Sequence, residues 1–565
     1  MENAAIAEQF SLLSKLMDIH GENAFKSKTY SIAAYRIEQL PVELRALTHE
    51  QIFAINGIGD AIGKKIIELT GTGKMASLEA LLAKTPAGIL EMMKIKGLGP
   101  KKIAVIWKEM QVENIGELLY ACHENRLSLL KGFGKKTQDN VIDSIEFFLR
   151  QKGNHLYAGL EPVAAAVRSI LRDAFADDRI ELTGAFARQL ETLDRLLLVV
   201  PGEETYIAEK MKSLPAFQPG EKGAGTLYYR YQDTVLVGLL PAREQEVAAT
   251  IFENTNTPEF NRSFFEQADR RQLAGAGGDR DIFATAGLQY IEPCLRESGK
   301  IIALARQHGI PPLIQPGDIR GIIHCHSKWS DGADSLETLA LSCIEKGYEY
   351  LVISDHSKSA FYAQGLQEER VREQHRQVDE LNGKLSPFRI FKSIESDILN
   401  DGSLDYSDAL LSTFDLVIAS VHSNLKMPEE KAMSRLIRAI ENPYTTILGH
   451  LTGRLLLSRK GYPVDHEKII DACAAHHVAI EINAHPRRLD MGWQWLEYAL
   501  SKNVLVSINP DAHSVPEFGN TRYGVLVAQK GMVTPRNNLS SYGLQEFERF
   551  LEENKRRKKD RYSGS

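Results

Sequence analysis

Two histidines one residue apart stand in the segment "RGIIHCHSKWSDG", Arg320 to Gly332, where a short apolar run typical of a β-strand ends. Residues i and i+2 of a strand point to the same side, so His324 and His326 are placed to bind one metal ion together. Imidazole nitrogens are frequent metal ligands in proteins. The segment therefore predicts a metal site at the end of a strand.

The same arrangement recurs through the rest of the chain, where 11 of the 16 histidines lie after residue 323. Each strand-like run there ends in a metal-competent residue, and the runs are "GIIHCH", "YLVISDH", "FRIFKSIE", "DLVIASVH", "TTILGH", "VAIEINAH" and "VLVSINPDAH". Helical segments such as "SLETLALSCIEKG" lie between them. Alternating strands and helices form parallel sheets, and seven repeats predict a (β/α)7 barrel whose active face is made by the carboxyl ends of the strands.

The candidate metal ligands are the residues at or just after these strand ends. They are His324, His326, Asp331, His356, Glu395, His422, His450, Asp511 and His513. A single histidine is more often a satisfied core or surface side chain, but nine such residues on one rim favour a metal site. Imidazoles and carboxylates without thiolates suit Mn²⁺, Zn²⁺ or Fe²⁺, and nine ligands exceed the needs of one ion. We expect two or more divalent ions, with phosphoester hydrolysis as their chemistry.

Three residues of this face are candidates for roles in catalysis or phosphate binding. Asp331 or Asp511 is expected to assist proton transfer, although the sequence does not separate this role from that of a ligand. Arg454, in "GHLTGR", is a candidate phosphate contact, and an ion pair with an acidic residue is an equally good interpretation. No role is assigned to His375, His466, His476 and His477, which lie in helical segments, or to His485.

A second motif occurs three times in the first 155 residues, as "INGIGDAIGKKIIEL" (55–69), "IKGLGPKKIAVIW" (95–107) and "LKGFGKKTQDNVI" (130–142). Each copy has a Gly-x-Gly turn and then lysines that open a helical pattern. The free N–H groups of such a turn and the positive end of a helix dipole suit a phosphate. One copy would be explained as a simple turn, but three favour binding of a nucleic-acid backbone. The residues concerned are Gly57, Gly59, Lys64, Lys65, Gly97, Gly99, Lys101, Lys102, Gly132, Gly134, Lys135 and Lys136.

The composition is that of an ordinary globular protein. The chain has 565 residues, 43% of them hydrophobic and 25% charged, which suggests about three to four domains. A net charge of −6 means that DNA contacts depend on local basic patches. Five scattered cysteines without CxxC spacing favour a reducing cytoplasm over disulfides or a zinc–thiolate site. No apolar run approaches 18 residues, so we expect neither a signal peptide nor a membrane span.

From Arg320 onward the motifs resemble those of the PHP (polymerase and histidinol phosphatase) domain. They are "HCHSKWSDG", "SDHS", "IESDILNDGSLDY", "ASVHS", "GHLTGR", "EINAHPRRLD" and "DAHS", in that family's order. With three copies of what resembles a helix-hairpin-helix motif, the whole chain resembles a bacterial family X DNA polymerase with a carboxy-terminal PHP domain. The resemblance implies a multinuclear Mn or Zn site at the nine positions above. It also implies 3′ to 5′ exonuclease or related repair activity on gapped, nicked or 3′-damaged DNA, in the bacterial cytoplasm at the nucleoid.

These patterns predict a multidomain α and α/β protein. We expect an amino-terminal helical DNA-binding domain with the first hairpin (1–85), further helix-hairpin-helix motifs (86–155), an α/β nucleotidyltransferase-like palm and thumb-like region (156–310), the PHP barrel (318–550) and a basic tail without fixed structure (551–565). The oligomeric state and any lyase activity of the first domain are not predicted.

The palm departs from the family pattern of Gly-Ser, Glu-Thr and Asp-x-Asp. In "GAFARQLETLDRLLLVV" the serine position holds Ala185, and the three aspartate positions fall on Arg195, Leu197 and, in a later strand, about Leu236. Nucleotidyl transfer by two Mg²⁺ ions needs oxygen ligands, which these residues do not supply. We therefore expect an inactive palm. An active gap-filling polymerase, a non-catalytic DNA-binding scaffold and a small-molecule phosphatase are the alternatives.

Overall fold

The computed structural model describes residues 1–150, 153–223, 225–273 and 275–562. The chain forms two compact units. The first contains Met1–His123 and Leu127–Phe148, and the second contains Glu124–Arg126 and Leu149–Ser565. Within the described ranges, no helix combines the length and the hydropathy that crossing a membrane requires.

The first 150 residues are helical. The helices are α1 (Asn3–His20), α2 (Ala24–Glu38), α3 (His49–Phe53), α4 (Asp60–Thr72), α5 (Ala76–Leu82), α6 (Ala87–Met92), α7 (Pro100–Met110), α8 (Ile115–His123) and α9 (Lys135–Arg150). The three Gly-x-Gly turns share one backbone geometry, because Gly57, Gly97 and Gly132 have φ angles of 89°, 91° and 91°. Glycine adopts this left-handed conformation without steric cost. Helices α4, α7 and α9 begin directly after the turns, so the sequence repeat is also a structural repeat.

The second unit begins with a sheet and a group of helices. Its elements up to residue 306 are β1 (His155–Leu156), α10 (Tyr157–Phe175), β2 (Glu181–Thr183), α11 (Gly184–Ala187), β3 (Thr192–Leu193), β4 (Leu196–Pro201), α12 (Glu204–Met211), β5 (Phe217–Gly223), β6 (Thr226–Tyr231), β7 (Val235–Ala242), α13 (Val247–Thr255), α14 (Pro258–Phe265), α15 (Asp279–Thr285) and α16 (Ile301–Arg306). The five-stranded sheet has the order β2-β4-β7-β6-β5, in which only β4 and β7 pair in parallel. This is the predicted α/β region.

The remainder is a barrel of seven parallel strands, which confirms the predicted (β/α)7 fold. Its elements are β8 (Gly321–Cys325), α17 (Leu336–Glu345), β9 (Tyr350–Ile353), α18 (Glu368–Leu385), β10 (Arg389–Asp397), α19 (Asp408–Leu411), β11 (Leu416–Ser420), α20 (Glu429–Glu441), β12 (Thr445–Leu448), α21 (His466–His476), β13 (Ala479–Asn483), α22 (Leu496–Ser501), β14 (Val506–Asn509), α23 (Thr521–Lys530) and α24 (Leu544–Tyr562). The strands follow chain order from β8 to β14. The barrel closes where the N–H of His326 donates to the carbonyl of Ala512 at 2.8 Å. The strands are buried over almost their whole length because helices cover the outside of the barrel.

We expected the carboxy-terminal segment to lack fixed structure because it contains a run of basic residues. This expectation is wrong for most of the segment. Helix α24 extends to Tyr562, and residues 563–565 of the predicted tail lie outside the described part. The Phe547 ring on this helix is fully buried and stacks on Tyr350 of β9, with centroids 4.6 Å apart. Lys555 Nζ donates to the carbonyl of Phe414 at 2.8 Å. The helix therefore packs on the barrel at the side of the amino ends of its strands.

Replacing Phe547 with alanine should destabilise the barrel by about 3 to 5 kcal/mol, because a fully buried ring leaves a cavity. Urea unfolding followed by tryptophan fluorescence is the measurement, since Trp329, Trp493 and Trp495 all lie in the barrel. The Phe550→Ala variant, a partly buried position of the same helix, is the control and should lose less stability. Equal midpoints for wild type and Phe547→Ala would contradict the packing role of α24.

Candidate metal centre

The structure brings together all nine residues predicted as ligands. Each lies at the carboxyl end of a barrel strand or in the loop that follows, as the parallel topology requires. Eight of the nine are buried and His422 is nearly so. Three overlapping groups have ligand atoms within 4.8 Å of one another: His326, Asp331, His356 and His513; His324, His326 and Asp511; and His356, Glu395 and His422. The ninth residue, His450, joins them through its Nε2 atom, which lies 3.0 Å from Glu395 Oε1.

Many of the polar atoms in this cluster have no hydrogen-bond partner. The buried atoms without a hydrogen bond are His324 Nε2, His326 Nδ1, Asp331 Oδ2, His356 Nδ1, Glu395 Oε2, His450 Nδ1 and His513 Nε2, although His356 Nδ1 and Glu395 Oε2 face each other at 2.9 Å as an ion pair. A buried polar atom without a partner is costly, and such atoms are rare outside functional sites. Imidazole nitrogens and carboxylate oxygens that converge without hydrogen bonds fit the donor set of divalent metal ions. The residues present therefore fit a metal centre.

The two carboxylates predicted to assist proton transfer lie inside the cluster. Asp331 Oδ2 is 3.5 Å from His356 Nε2, and Asp331 Oδ1 is 3.5 Å from His513 Nε2. Burial opposes ionisation, but these two histidines hold the pKa of the Asp331 carboxyl well below its usual range. Asp511 Oδ1 lies 3.1 Å from His326 Nε2. Both aspartates are therefore positioned as ligands or as proton acceptors beside them.

His324 and His326 reach the same cluster by a route that differs from the expected strand alternation. The pairing of β8 with β9 shifts register between Ile322 and Cys325, and His324 has a φ of 61°. A bulge of this kind inserts a residue and re-aims the side chains around it. The two imidazole rings nevertheless lie 5.3 Å apart between centroids. The bulge, and not a regular pleat, places both histidines in the site.

Two carboxylates that the sequence analysis did not assign form hydrogen bonds to histidines of the cluster, at the ring nitrogen that faces away from it. Glu481 Oε2 lies 2.7 Å from Nδ1 of His324, and Asp397 Oδ1 lies 2.5 Å from Nδ1 of His422. A proton held between carboxylate and Nδ1 leaves the Nε2 lone pair directed at the cluster, as in other carboxylate–histidine–metal arrangements. Glu481 is fully buried and also accepts from the side-chain amide of Asn509 at 3.0 Å. The sequence signal that could have identified Glu481 is an acidic residue inside an otherwise apolar strand.

Arg454 is not placed as the expected phosphate contact, because its guanidinium is already engaged. Its Nε donates to the carbonyl of Arg488 at 2.9 Å, and an Nη donates to Glu191 Oε1 at 2.7 Å and to the carbonyl of Leu489. Arg454 therefore forms an ion pair with an acidic residue, which was the second interpretation given for it in the sequence analysis. His485 is buried but belongs to none of the three ligand groups found among the described residues.

The palm positions that lack aspartate lie in or next to two paired strands of the five-stranded sheet. Leu197 of β4 pairs with Gly238 of β7, the strand that also contains Leu236. Arg195 directly precedes β4 and donates to Tyr228 Oη at 3.2 Å. A Cβ on Gly238 would lie 2.6 Å from the Leu197 side chain and 2.9 Å from the Tyr228 ring. Apolar and aromatic atoms therefore fill the face where a polymerase would hold its ions.

The hairpin lysines differ in how available they are. All six glycines of the turns are exposed, as are Lys101, Lys135 and Lys136. In the first hairpin, however, Lys64 forms an ion pair with Asp60 at 3.0 Å, and Lys65 Nζ donates to Ser77 Oγ at 2.6 Å. The second and third hairpins therefore offer more unpaired positive charge than the first.

Comparison with known proteins finds helix-hairpin-helix models in the amino-terminal part of the chain and relatives that cover either the whole chain or a part of it. Residues 1–75 match a family model described as a helix-hairpin-helix domain, and residues 89–146 match a SAM-like helix-hairpin-helix tandem. The chain is 31% identical to a Bacillus subtilis protein named DNA polymerase/3′-5′ exonuclease PolX, over 98% of this chain and 100% of that protein. It is also 34% identical to a probable phosphatase of Caldanaerobacter subterraneus, over 18% of this chain and 39% of the phosphatase. A probable phosphatase of Thermoanaerobacter is 27% identical, over 31% of this chain and 72% of its own length.

The Glu481→Gln variant should bind divalent metal about 10- to 100-fold more weakly, because the amide no longer fixes the His324 tautomer. Titration calorimetry with Mn²⁺ and Zn²⁺ measures the affinity. The control is Asp415→Asn, since Asp415 accepts from the Lys392 N–H at 2.8 Å just before β11, at the opposite end of the barrel. Unchanged affinity in the Glu481→Gln variant would contradict its positioning role.

Proposed function

Because this chain belongs to the bacterial PolX family of DNA polymerase/3′-5′ exonucleases, we propose that it is a metal-dependent DNA phosphoesterase that shortens DNA from the 3′ end at its PHP barrel. Gapped, nicked or 3′-damaged duplex is the proposed substrate, and the cytoplasm, at the nucleoid, is the proposed location. The observation that carries the proposal is the cluster of nine buried ligands at the carboxyl ends of the barrel strands.

The ligand groups would hold two or three divalent ions, Mn²⁺ or Zn²⁺, since one ion cannot use three groups. Ions held there would supply Lewis-acid activation of water and of the phosphodiester. Asp331 and Asp511 are proposed to accept the proton of the attacking water, because each carboxylate faces the histidines of the cluster. Glu481 and Asp397 keep His324 and His422 oriented during this step.

Template-directed polymerisation is not part of the proposal. The face that would hold two ions carries Arg195, Leu197 and Leu236 in place of carboxylates, and none of these side chains offers an oxygen. Arg195 instead pairs with the adjacent Asp194 at 2.6 Å. None of the groups of metal-competent side chains found among the described residues lies in the palm.

The helix-hairpin-helix turns are proposed to bind the DNA backbone. Their exposed glycines present backbone N–H groups at the start of α4, α7 and α9, where a helix dipole favours an anion. Contacts of this kind position DNA without reading its sequence. The protein is therefore expected to act on ends of any sequence.

The test of the function is a gel assay of a labelled gapped duplex with Mn²⁺ and all four deoxynucleotides. The intact protein should shorten the primer, and His324→Ala should abolish shortening because the cluster loses a ligand. His49→Ala, an exposed histidine of the first unit, is the matched control. Lengthening of the primer would show an active palm, and no change with the intact protein would favour a scaffold.

DNA binding supplies a second test. Lys101→Ala and Lys135→Ala should each weaken binding to all sequences and reduce the slope of log affinity against log salt by about one. Fluorescence anisotropy across a series of KCl concentrations measures both effects. Lys64→Ala should have a smaller effect, because Lys64 is already paired with Asp60. Equal effects of all three substitutions would contradict this ranking of the hairpins.

A further inference from the structure

One loop next to the metal centre presents an aromatic ring to solvent. The loop joins β9 to α18 and starts at the ligand His356. Phe361 in this loop is 77% exposed, the highest value for a large apolar side chain among the described residues of the second unit. Leaving the ring in water forfeits the stabilisation that burying it would contribute. Folding of the barrel does not explain this position.

The loop is held in a fixed conformation. The backbone N–H and the Oγ of Ser359 both donate to the carboxylate of Asp405 at 2.6 Å. The N–H of Leu366 returns to the carbonyl of His356 at 2.9 Å. A Cβ on Gly365 would stand 1.9 Å from a backbone carbonyl oxygen of the same loop, so the close approach requires glycine. A well-anchored backbone therefore presents the exposed ring.

The loop that carries Phe361 returns to the metal centre at both ends. Phe361 is five residues from the ligand His356, so their Cα atoms are at most about 18 Å apart. The neighbouring Tyr362 meets Phe361 edge to face, with centroids 5.8 Å apart. The Arg126 guanidinium lies over the Tyr362 ring, 4.2 Å from its centroid. The residue before it, Asn125, donates from its side-chain amide to the carbonyl of Asp331 at 3.4 Å. Phe361 thus stands beside a ring that contacts the segment next to a residue of the metal centre.

We propose that Phe361 is a stacking platform for a nucleobase at the 3′ end of the DNA. The proposal rests on the function proposed above, because a terminal phosphodiester at the metal ions brings its bases within reach of this loop. Every base has a flat π face, so stacking tolerates all sequences, as an exonuclease requires. A single ring is too small for a stable protein interface, which needs about 800 Å² from each partner.

The first test compares Phe361→Ala and Phe361→Trp in the full chain on two labelled primers. One primer has normal bases and the other lacks bases in its last two nucleotides. Phe361→Ala should lower kcat/KM about 5- to 100-fold on the normal primer and leave the abasic primer unaffected, while Phe361→Trp retains activity. Leu341→Ala, an apolar position of α17 that is 49% exposed, is the control and should change neither. An equal loss on both primers, or no loss, would overturn the proposal.

The second test needs no hydrolysis, so it separates this proposal from the proposed function. Fluorescence of 2-aminopurine at the 3′ terminus of an oligonucleotide is measured in the presence of a chelator. Wild type and Phe361→Trp should quench it, and Phe361→Ala should not. Quenching that depends on the ring, in a protein that hydrolyses no DNA, would support the platform and reject the exonuclease. Absence of quenching by wild type, or self-association lost in Phe361→Ala without DNA, would overturn the platform.

Discussion

Removing ionisable groups from water is the constraint on which the rest of this structure depends. Each buried charge costs several kcal/mol unless an opposite charge or a metal ion compensates it. Here three carboxylates and six imidazoles meet at one end of a barrel that is otherwise apolar. Burial would neutralise the histidines, but Glu481, Asp511 and Glu395 raise the pKa of His324 well above its usual range. Without metal the cluster is therefore held by its own ion pairs, and divalent ions bound there would replace protons.

This polar cluster is tolerated because the barrel around it is closed and heavily packed. Parallel strands have no free edge when the first and last of them meet, and here the meeting point is the bulged end of β8 against Ala512. The same bulge delivers His324 and His326 to the site. At the other end of the strands, Phe547 of α24 packs on Tyr350 and Phe391. One irregular strand end thus serves both closure and ligand placement.

Features that depend on spacing along the chain were predictable, and features that depend on distant partners were not. The apolar runs indicated seven strands and put nine ligands at their ends because strand direction fixes which end is shared. Glu481 and Asp397 were missed because their partners lie on other strands. The partner of Arg454 is 263 positions away in sequence. Helix α24 was missed because its basic residues obscure the apolar positions four residues apart at Phe547 and Leu551.

The palm region keeps an intact sheet although positions 195, 197 and 236 carry arginine and leucine. These side chains are not what joins the strands, because β4 and β7 pair through their backbones. The rest of the palm has a structural task, because Glu191 binds Arg454 of the barrel at 2.7 Å. The buried Lys530 of α23 donates to the carbonyl of Arg188 and to Glu297, each at 2.9 Å. Losing the palm would leave the buried Lys530 without these partners, which is costly, and would leave Arg454 with only the carbonyls of Arg488 and Leu489 among these contacts. These contacts hold the palm against the barrel.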